Sequence, residues 1–488
     1  MGMYRWISIL SADDFSQLAA ALAPEFGPDR VVQILRDGIN SAVQGVLIED
    51  GYVDKDYRST YYHFYSKMGR PYRADCVRLH FFDSVVTFDP DTLDLLCADR
   101  APNDHYFGYM VLRPTMVATI GRTVMSSDVR MGARGQVIHA LHKVHLLGHK
   151  LHWYGFPSMD QHADIAVCAH VACWSILRHY SELYSQHREL LVHDITLMAH
   201  QFDPGGLVPA NGLDVFEAER VFQAAGTYPL LVSKNPKSPQ SFYRQLLAYL
   251  DSGFPLFVAM EKTHGHAVVA IGRSWRSETP EAPPLSGGNA WDRVETVTVI
   301  DDNYLPYRNV PAAAITGAEY TAESFDRFIV PLPEKIFYPA SAVDKQAASF
   351  ATLLRKVMDM PAPDDTVVRY FVTTVSALRG FARANGSQLG VELVALIMQL
   401  QTTQFVWIVE YASTEQWARG EISARSVLDA SASPQDSAVA WMAHGRNTAI
   451  FLDRSIVPAA AKVIALSQLH GAPLSRMESN LRPVKQRT

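Results

Sequence analysis

The stretch GFPSMDQHADIAVCAHVACWSILRHY, residues 155–180, changes character at Cys168. From there on, apolar residues follow three- and four-residue spacing and no proline or glycine interrupts them, which predicts a helix. The preceding PSMDQHAD is typical of a turn. We therefore place Cys168 at a helix N-terminus, where unpaired backbone N–H groups and the helix dipole favour a thiolate. Gln161, seven residues upstream, could donate its side-chain amide to an oxyanion.

A thiolate nucleophile needs a base, and His266 is the candidate. The segment FPLFVAMEKTHGHAVVAIGRSW, residues 254–275, predicts two buried strands, and His266 opens the second. A helix is predicted before them, because Ser238 can act as its N-cap, Pro239 suits its first turn and Gly253 its end. A histidine at the start of a buried strand is rigidly mounted, as a general base requires.

A third predicted strand, VETVTVI at residues 294–300, ends in Asp301-Asp302-Asn303. A carboxylate at this place could hold the His266 imidazole in the tautomer that a triad needs. The sequence leaves open whether Asp301 or Asp302 does so. Between the second and third strands, SETPEAPPLSGGN at residues 277–289 predicts a surface loop.

The order of Gln161, Cys168, His266 and Asp301 resembles that of the papain-like cysteine peptidases. It is most similar to the double-glycine leader peptidases and the bacterial domains like them, which share Q-x6-C-x3-A, the preceding G-x-P, G-H-A-V-V-A-I-G and a strand ending in Asp. The resemblance covers about residues 155–310. It implies that Cys168 attacks, His266 is the base, Asp301 orients it and Gln161 builds the oxyanion hole.

The resemblance implies a thiol peptidase or another amide acyl-transfer enzyme, with water or an amine as acceptor and a peptide or protein as substrate. No cofactor or metal is expected. Ala169 stands where the leader peptidases usually have glycine, and no exporter region follows, so leader processing is not implied. The alternative is a catalytically inactive papain-like scaffold that binds a peptide or protein partner.

Composition sets wider limits. A chain of 488 residues is too long for one hydrophobic core and predicts two to four domains. Of its residues, 48% are apolar and 19% are charged. A net charge of −6 gives no reason to expect nucleic acid or an anionic membrane as partner. Four cysteines make no disulfide framework, and neither a signal peptide nor a membrane span is recognised, so a cytoplasmic protein is expected. The oligomeric state stays open.

The predicted organisation is an α+β protein of three regions, 1–150, 151–335 and 336–488, with a central papain-like fold. The apolar and aromatic flanks, of unknown role, are predicted to pack against the centre and restrict its cleft. The remaining element predictions are a strand at 6–10, helices from Ser11 and Pro28, two strands around Pro114, helices at about 342–358 and 366–384, strands at 405–412 and 424–431, and a frayed tail after Met477.

Other candidate residues have simpler interpretations. Cys173 is predicted to be a core residue of the same helix, and His170 and His264 surface or supporting groups. Glu410 and Asp429 are attributed to solvated strand ends, with no catalytic role.

Two longer stretches each allow both a binding and a structural interpretation. Five histidines could ligate a metal at their spacings, but the intervening apolar residues favour a half-buried helix and strand; they are His139, His142, His145, His149 and His152. Tyr52–Arg73 interleaves aromatic and basic residues, as single-stranded nucleic-acid sites do. Its helical spacing favours an amphipathic helix that packs on its own domain.

Overall fold

The computed structural model describes residues 3–11, 13–97, 101–117, 119–161, 168–199, 213–260, 265–276, 287–334, 336–436, 439–453, 460–466 and 473–486. It combines helices with three large, almost wholly antiparallel sheets, which confirms the predicted α+β class. No helix within these ranges is long and apolar enough to cross a lipid bilayer.

Residues 4–158 are organised around one sheet. The elements are β1 (Tyr4–Ser8), α1 (Asp14–Ala21), α2 (Pro28–Gly38), β2 (Gly45–Tyr52), α3 (Lys55–His63), β3 (Cys76–Phe82), β4 (Val86–Asp89), β5 (Asp94–Cys97), β6 (Tyr106–Leu112), β7 (Ile120–Met125), β8 (Gln136–Val137), β9 (Ala140–Leu146) and β10 (His149–Ser158). The strand order is β1-β2-β3-β6-β7-β10-β9. Helices α1 and α2 cover one face, whereas α3 and the β4–β5 hairpin cover the other.

Several local predictions are confirmed in this region. Helix α2 begins at Pro28, and β6 and β7 flank Pro114. The aromatic stretch forms α3, in which Tyr57 is buried and donates to the Arg73 carbonyl at 2.8 Å. The first helix starts later than expected, because the Asp14 carboxylate accepts hydrogen bonds from the backbone N–H of Ser11 and its neighbour.

The predicted boundary near residue 150 coincides with the start of β10 rather than with a linker. Strand β10 pairs with β7 and β9, so the first sheet continues to Ser158. The five histidines lie on or beside the β9–β10 hairpin, a pair of strands where a helix and a strand were predicted. Burial alternates along β9, which puts His142 inside and His145 in solvent.

The central region pairs a second sheet with helices on both faces. Its elements are α4 (Cys168–Leu183), α5 (Val192–Ala199), α6 (Val215–Ala224), β11 (Tyr228–Ser233), α7 (Pro239–Asp251), β12 (Leu256–Met260), β13 (Ala267–Trp275), β14 (Gly288–Asn289), β15 (Val294–Ile300), β16 (Arg308–Pro311) and β17 (Phe325–Leu332). The strand order is β11-β17-β12-β13-β15-β16. Alternate residues of β12 point to opposite faces of this sheet: Phe257 packs with α4, and Leu256 and Val258 pack with α7.

The C-terminal region forms a third sheet, of order β14-β18-β19-β21-β22-β23-β24. Its elements are α8 (Ala340–Leu354), β18 (Thr366–Thr374), α9 (Val375–Ala384), α10 (Gly386–Gln399), β19 (Phe405–Ser413), α11 (Thr414–Ala418), β20 (Glu421–Ile422), β21 (Ala424–Asp429), β22 (Ala440–His444), β23 (Thr448–Asp453), β24 (Ala460–Ala465), β25 (Leu474–Ser475) and β26 (Arg482–Pro483). The strands predicted at 405–412 and 424–431 are confirmed as β19 and β21. The predicted helix 366–384 is wrong in its first half, because the β-branched run TVVRYFVTT pairs with β19 as β18.

The three regions share their cores. One apolar cluster runs from α7 through the C-terminal sheet. The Trp407 indole of β19 donates to the Tyr338 carbonyl at 2.8 Å, and the Tyr249 hydroxyl of α7 accepts from the Ala340 N–H at 3.1 Å. The boundary near 335 is therefore a connection within a continuous core. The flanks do pack against the centre, and the proposed restriction of its cleft stays a prediction.

A buried ion cluster lies where the second and third sheets meet. Asp251 pairs with Arg273 and Arg369 at 2.8 Å each, and Glu410 pairs with Arg369 at 3.2 Å and Arg425 at 2.8 Å. Glu410 is in the middle of β19 and 1% exposed. Its attribution to a solvated strand end is therefore wrong.

Residues 478–486 are bound to other regions rather than frayed, which corrects that prediction. Strand β26 pairs with β8, and Asn480 donates to the Ser252 carbonyl at 2.7 Å. Gln486 reaches the Ala133 carbonyl at 2.7 Å. Backbone pairing with other regions, which a basic and polar composition does not reveal, holds this segment.

Candidate active site

Cys168 is the first described residue of α4, and its side chain is half-buried. The helix is fixed by its apolar face, which carries the buried Cys173 and Trp174. The Trp174 indole N–H donates to Asp56 Oδ1 of α3 at 2.9 Å. The N-terminal region therefore takes part in holding the helix that presents the thiol.

His266 lies directly before β13, at the strand start that the sequence predicts. Its carbonyl accepts a hydrogen bond from the Met260 N–H at 2.9 Å, which extends the β12–β13 pairing to this residue. The imidazole is 17% exposed, and a hydrogen-bonding interaction with the Cys168 side chain contributes to the rise of its pKa. Nε2 lies 3.0 Å from Asp301 Oδ1, which leaves Nδ1 as the other ring nitrogen. Residues 98 positions apart in the sequence thus belong to one candidate site.

Asp301 follows β15, and sheet register carries it to the imidazole. Strands β13 and β15 are antiparallel, so the end of one lies beside the start of the other. The carboxylate is 1% exposed and accepts four hydrogen bonds. His266 Nε2 and the Asn303 N–H donate to Oδ1 at 3.0 and 3.1 Å; Arg308 and the Tyr320 hydroxyl donate to Oδ2 at 3.0 and 2.6 Å. This geometry favours Asp301 as the residue that orients the ring.

The opposite charges of His266 and Asp301 stabilise each other. Burial by itself lowers the pKa of His266, but hydrogen bonds with Asp301 and Cys168, and the negative charges of Asp301 and Asp302, outweigh it and raise that pKa to about 10. Burial opposes ionisation of Asp301 as well, yet hydrogen bonds from His266 and Tyr320 keep the pKa of this carboxyl below its usual value. At neutral pH the ring is therefore an imidazolium between the thiol and a carboxylate.

Asp302 occupies a different environment from its neighbour. Its side chain is 2% exposed, and Oδ1 lies 3.6 Å from His266 Nε2. Within the described part of the chain, neither carboxylate oxygen has a hydrogen-bond partner. Burial raises the pKa of Asp302 to about 7; the charges of Asp301 and Asp160 add to this, and that of His266 opposes it.

Gln161 is half-buried and follows Asp160, whose backbone N–H donates to the Ile120 carbonyl at 3.0 Å. The charge of Asp160 acts on the pKa of Asp302, so this end of the segment lies on the carboxylate side of the site. No hydrogen bond among the described residues joins Gln161 to the thiol or the imidazole. Residues 162–167 are outside the described ranges, and the oxyanion role of Gln161 stays a prediction.

The remaining candidates are sorted by burial. Cys173 is fully buried, as predicted, and burial raises the pKa of its thiol. His170, also on α4, is fully buried in the protein, so it is not a surface group. His264 and residues 277–286 of the predicted loop lie outside the described ranges.

Sequence analysis missed the groups that hold Asp301 in place. Tyr320 and Arg308 come from segments after β15, and no sequence motif marks them. Asp160, which influences Asp302, lies inside the quoted stretch and could have been noticed as a carboxylate beside Gln161.

Within the described ranges, one group of three or more potential ligand side chains is close enough to share an ion: His266, Asp301 and Asp302. Comparison with known proteins adds no relative: no protein-family model, curated protein or solved structure matches this chain.

Proposed function

We propose that this protein is a thiol-dependent amide acyl-transfer enzyme, and specifically a papain-like cysteine peptidase. One observation carries the proposal: His266, whose pKa is raised in part by a hydrogen-bonding interaction with the Cys168 side chain, has its Nε2 held by a buried carboxylate. Nucleophile, base and orienting group stand in the relation that triads use on unrelated folds. The helix–strand–strand order of Cys168, His266 and Asp301 matches the papain-like arrangement that the sequence resembles.

The chemistry follows from the protonation states. The Cys168 thiolate attacks the amide carbonyl and forms a tetrahedral adduct, whose oxyanion would be bound by the backbone N–H groups at the start of α4 and by the Gln161 amide. His266, as imidazolium, gives its proton to the departing amine while the C–N bond breaks and a thioester remains. Water or a second amine then attacks the thioester, with His266 as base, and releases the thiolate.

A peptide or protein substrate fits this chemistry, and no cofactor is required for it. No disulfide joins any of the four cysteines, which suits a reducing compartment such as the cytoplasm. Folded flanking regions that share the core of the central one suit an enzyme with restricted access to its cleft.

Alkylation kinetics with iodoacetamide test the proposal, read out per cysteine by mass spectrometry. We expect Cys168 to react fastest, still rapidly at pH 6, and to slow in a His266→Ala variant. Cys97, which is half-buried, and the buried Cys76 are internal comparisons. If Cys168 reacts no faster than Cys97, the protein is a non-catalytic scaffold. If Cys168 does react fastest, a peptide library that the wild type digests and Cys168→Ala does not would identify the substrate class.

A further inference from the structure

We propose that His266, Asp301 and Asp302 form a binding site for a divalent transition-metal cation, with zinc the best fit, and that occupancy switches the candidate active site off. The binding stands on geometry alone. The inhibitory consequence rests on the proposed function, because it requires His266 to serve Cys168.

The ligand atoms already have the spacing of a coordination shell. Those of the three side chains lie within 4.8 Å of one another. His266 Nε2 is 3.0 Å from Asp301 Oδ1 and 3.6 Å from Asp302 Oδ1. Two ligands on a tetrahedral zinc, at bonds of about 2.1 Å, are about 3.4 Å apart. Both distances from Nε2 are within a few tenths of an ångström of that value, and the two carboxylates, at most 4.8 Å apart, would close on the ion to give one imidazole and two carboxylate ligands, with the fourth position open to water.

The environment of the Asp302 carboxylate is the second argument for a metal site. The Asp302 side chain is 2% exposed, and neither of its oxygens has a hydrogen-bond partner in the described ranges. A buried carboxylate without a partner is costly, and a cation at this point would give it one. Its Oδ1 already faces His266 Nε2, so the unsatisfied atom points to the place where the metal would be.

The other groups around Asp301 set the strength of binding. Arg308 and Tyr320 occupy Oδ2, whereas Oδ1 accepts from the Asn303 N–H and faces His266 Nε2, whose proton the metal would replace. The positive charge of Arg308, whose guanidinium lies 3.0 Å from Asp301 Oδ2, opposes the binding of a second cation. A site with one imidazole, two carboxylates and a nearby guanidinium is suited to reversible loading rather than to a permanently held structural ion. Imidazole in the set favours zinc over magnesium, which prefers six oxygens.

Loading would change the imidazole itself. Zinc takes the Nε2 lone pair and one proton leaves to solvent, so the imidazolium becomes a neutral ligand that keeps its Nδ1–H. This N–H is a weaker acid than an imidazolium, and the ring has no free nitrogen to accept the Cys168 proton. Both the delivery of a proton to the leaving amine and the activation of the thiol are lost, and chelation of the metal restores them.

Zinc titration of the full-length Cys168→Ala variant tests the binding without the thiol. We expect one site per chain and release of about one to two protons at pH 7, one from the His266 imidazolium and a fraction from Asp302, measured by calorimetry in buffers of different ionisation enthalpy. His266→Ala and Asp302→Ala, made in the same background, should each weaken binding at least tenfold, whereas Asp326→Ala, at a partly exposed carboxylate, should not. Magnesium should not compete. Should Asp302→Ala not fold, Asp302→Asn gives the same comparison without the charge.

Two results would overturn the site: unchanged zinc affinity in the Asp302 variants, or loss of binding in Cys168→Ala, which would place the metal on the thiol. The switch is tested separately, in the wild type, by the alkylation rate of Cys168. Zinc should lower that rate at least tenfold and a chelator should restore it. Tight zinc binding with an unchanged, rapid alkylation rate would refute the switch. A Cys168 that is never reactive would refute the proposed function and leave the titration result standing.

Discussion

His266 Nε2 lies 3.0 Å from Oδ1 of Asp301, and Asp301 is itself held by three further donors. The imidazole is therefore oriented by a group that cannot easily rotate away. Asp302, whose oxygens accept no hydrogen bond within the described ranges, lies 3.6 Å from the same nitrogen. This arrangement decides which variants should be damaging and which should be mild.

Removal of either reacting group should abolish acyl transfer. Cys168→Ala and His266→Ala are expected to show no thioester formation, because each deletes the nucleophile or its proton partner. Asp301→Asn keeps the shape but loses the charge, and should lower kcat/KM by about 10²-fold or more. Asp302→Asn, the matched control, should cost much less. Steady-state kinetics on an identified peptide substrate measure all four. Full activity of either alanine variant, or a larger loss in Asp302→Asn than in Asp301→Asn, contradicts the assignment.

Gln161 is expected to act on the transition state. Gln161→Ala should lower the acylation rate by about 10²–10³, the usual loss for one oxyanion donor, with KM little changed. Stopped-flow acylation with an activated ester separates this step from binding. A defect confined to KM would mean that Gln161 lines the substrate cleft instead.

The pH profile should report His266. Since its pKa is raised to about 10, the ring stays protonated, and able to protonate the leaving amine, up to about pH 10; kcat/KM should fall above that value. Asp301→Asn removes a negative charge that supports the imidazolium, so the alkaline limb should move to lower pH. The readout is kcat/KM from pH 6 to 11, corrected for stability. An alkaline limb at the same pH in both proteins would show that another group titrates.

Acid should destabilise the fold through its buried neutral histidines. Burial, and then the positive charge of Arg178, lower the pKa of His142 from 6.5 to about 3. The unfolded chain takes up this proton below pH 6.5 and the folded chain does not, so stability is lost as the pH falls from 6.5 towards 3. One such group contributes on the order of 2 kcal/mol of loss at pH 5.

The comparison of His142→Phe with the wild type measures this contribution by urea unfolding at pH 7.5 and 5. The phenylalanine variant should lose less stability between the two pH values. His145→Gln, on the exposed side of the same strand, should behave like the wild type. Equal losses in all three proteins would show that His142 does not contribute.

The buried ion cluster should be sensitive to loss of one partner. Glu410→Ala leaves Arg425 buried without its carboxylate and Arg369 with Asp251 alone, and is expected to lower the free energy of unfolding by about 3–5 kcal/mol. Glu415→Ala breaks the exposed pair with Arg419 and should cost at most about 1 kcal/mol. Urea unfolding monitored by circular dichroism compares them. A similar, small cost for both would mean that the cluster relaxes or admits water.

Local patterns in the sequence were sufficient for the elements that carry the site. The start of α4 at Cys168, the strand after His266 and the strand before Asp301 each follow from apolar spacing and breaker residues within about 15 positions. The same reasoning misjudged residues 366–374, where pairing with β19 determines a strand, and the tail after Met477, which pairs with β8.

By itself, the sequence determined which residue types stand at which element ends: a thiol on a helix, an imidazole before a strand and two carboxylates after the next. Only the tertiary structure decided between Asp301 and Asp302, because the choice depends on Arg308 and Tyr320, which reach one carboxylate and not the other. Periodicity records the faces of helices and strands, whose spacing is local. Hydrogen bonds between side chains that are distant in the chain depend on sheet register and loop paths, which leave no periodic trace in a single sequence.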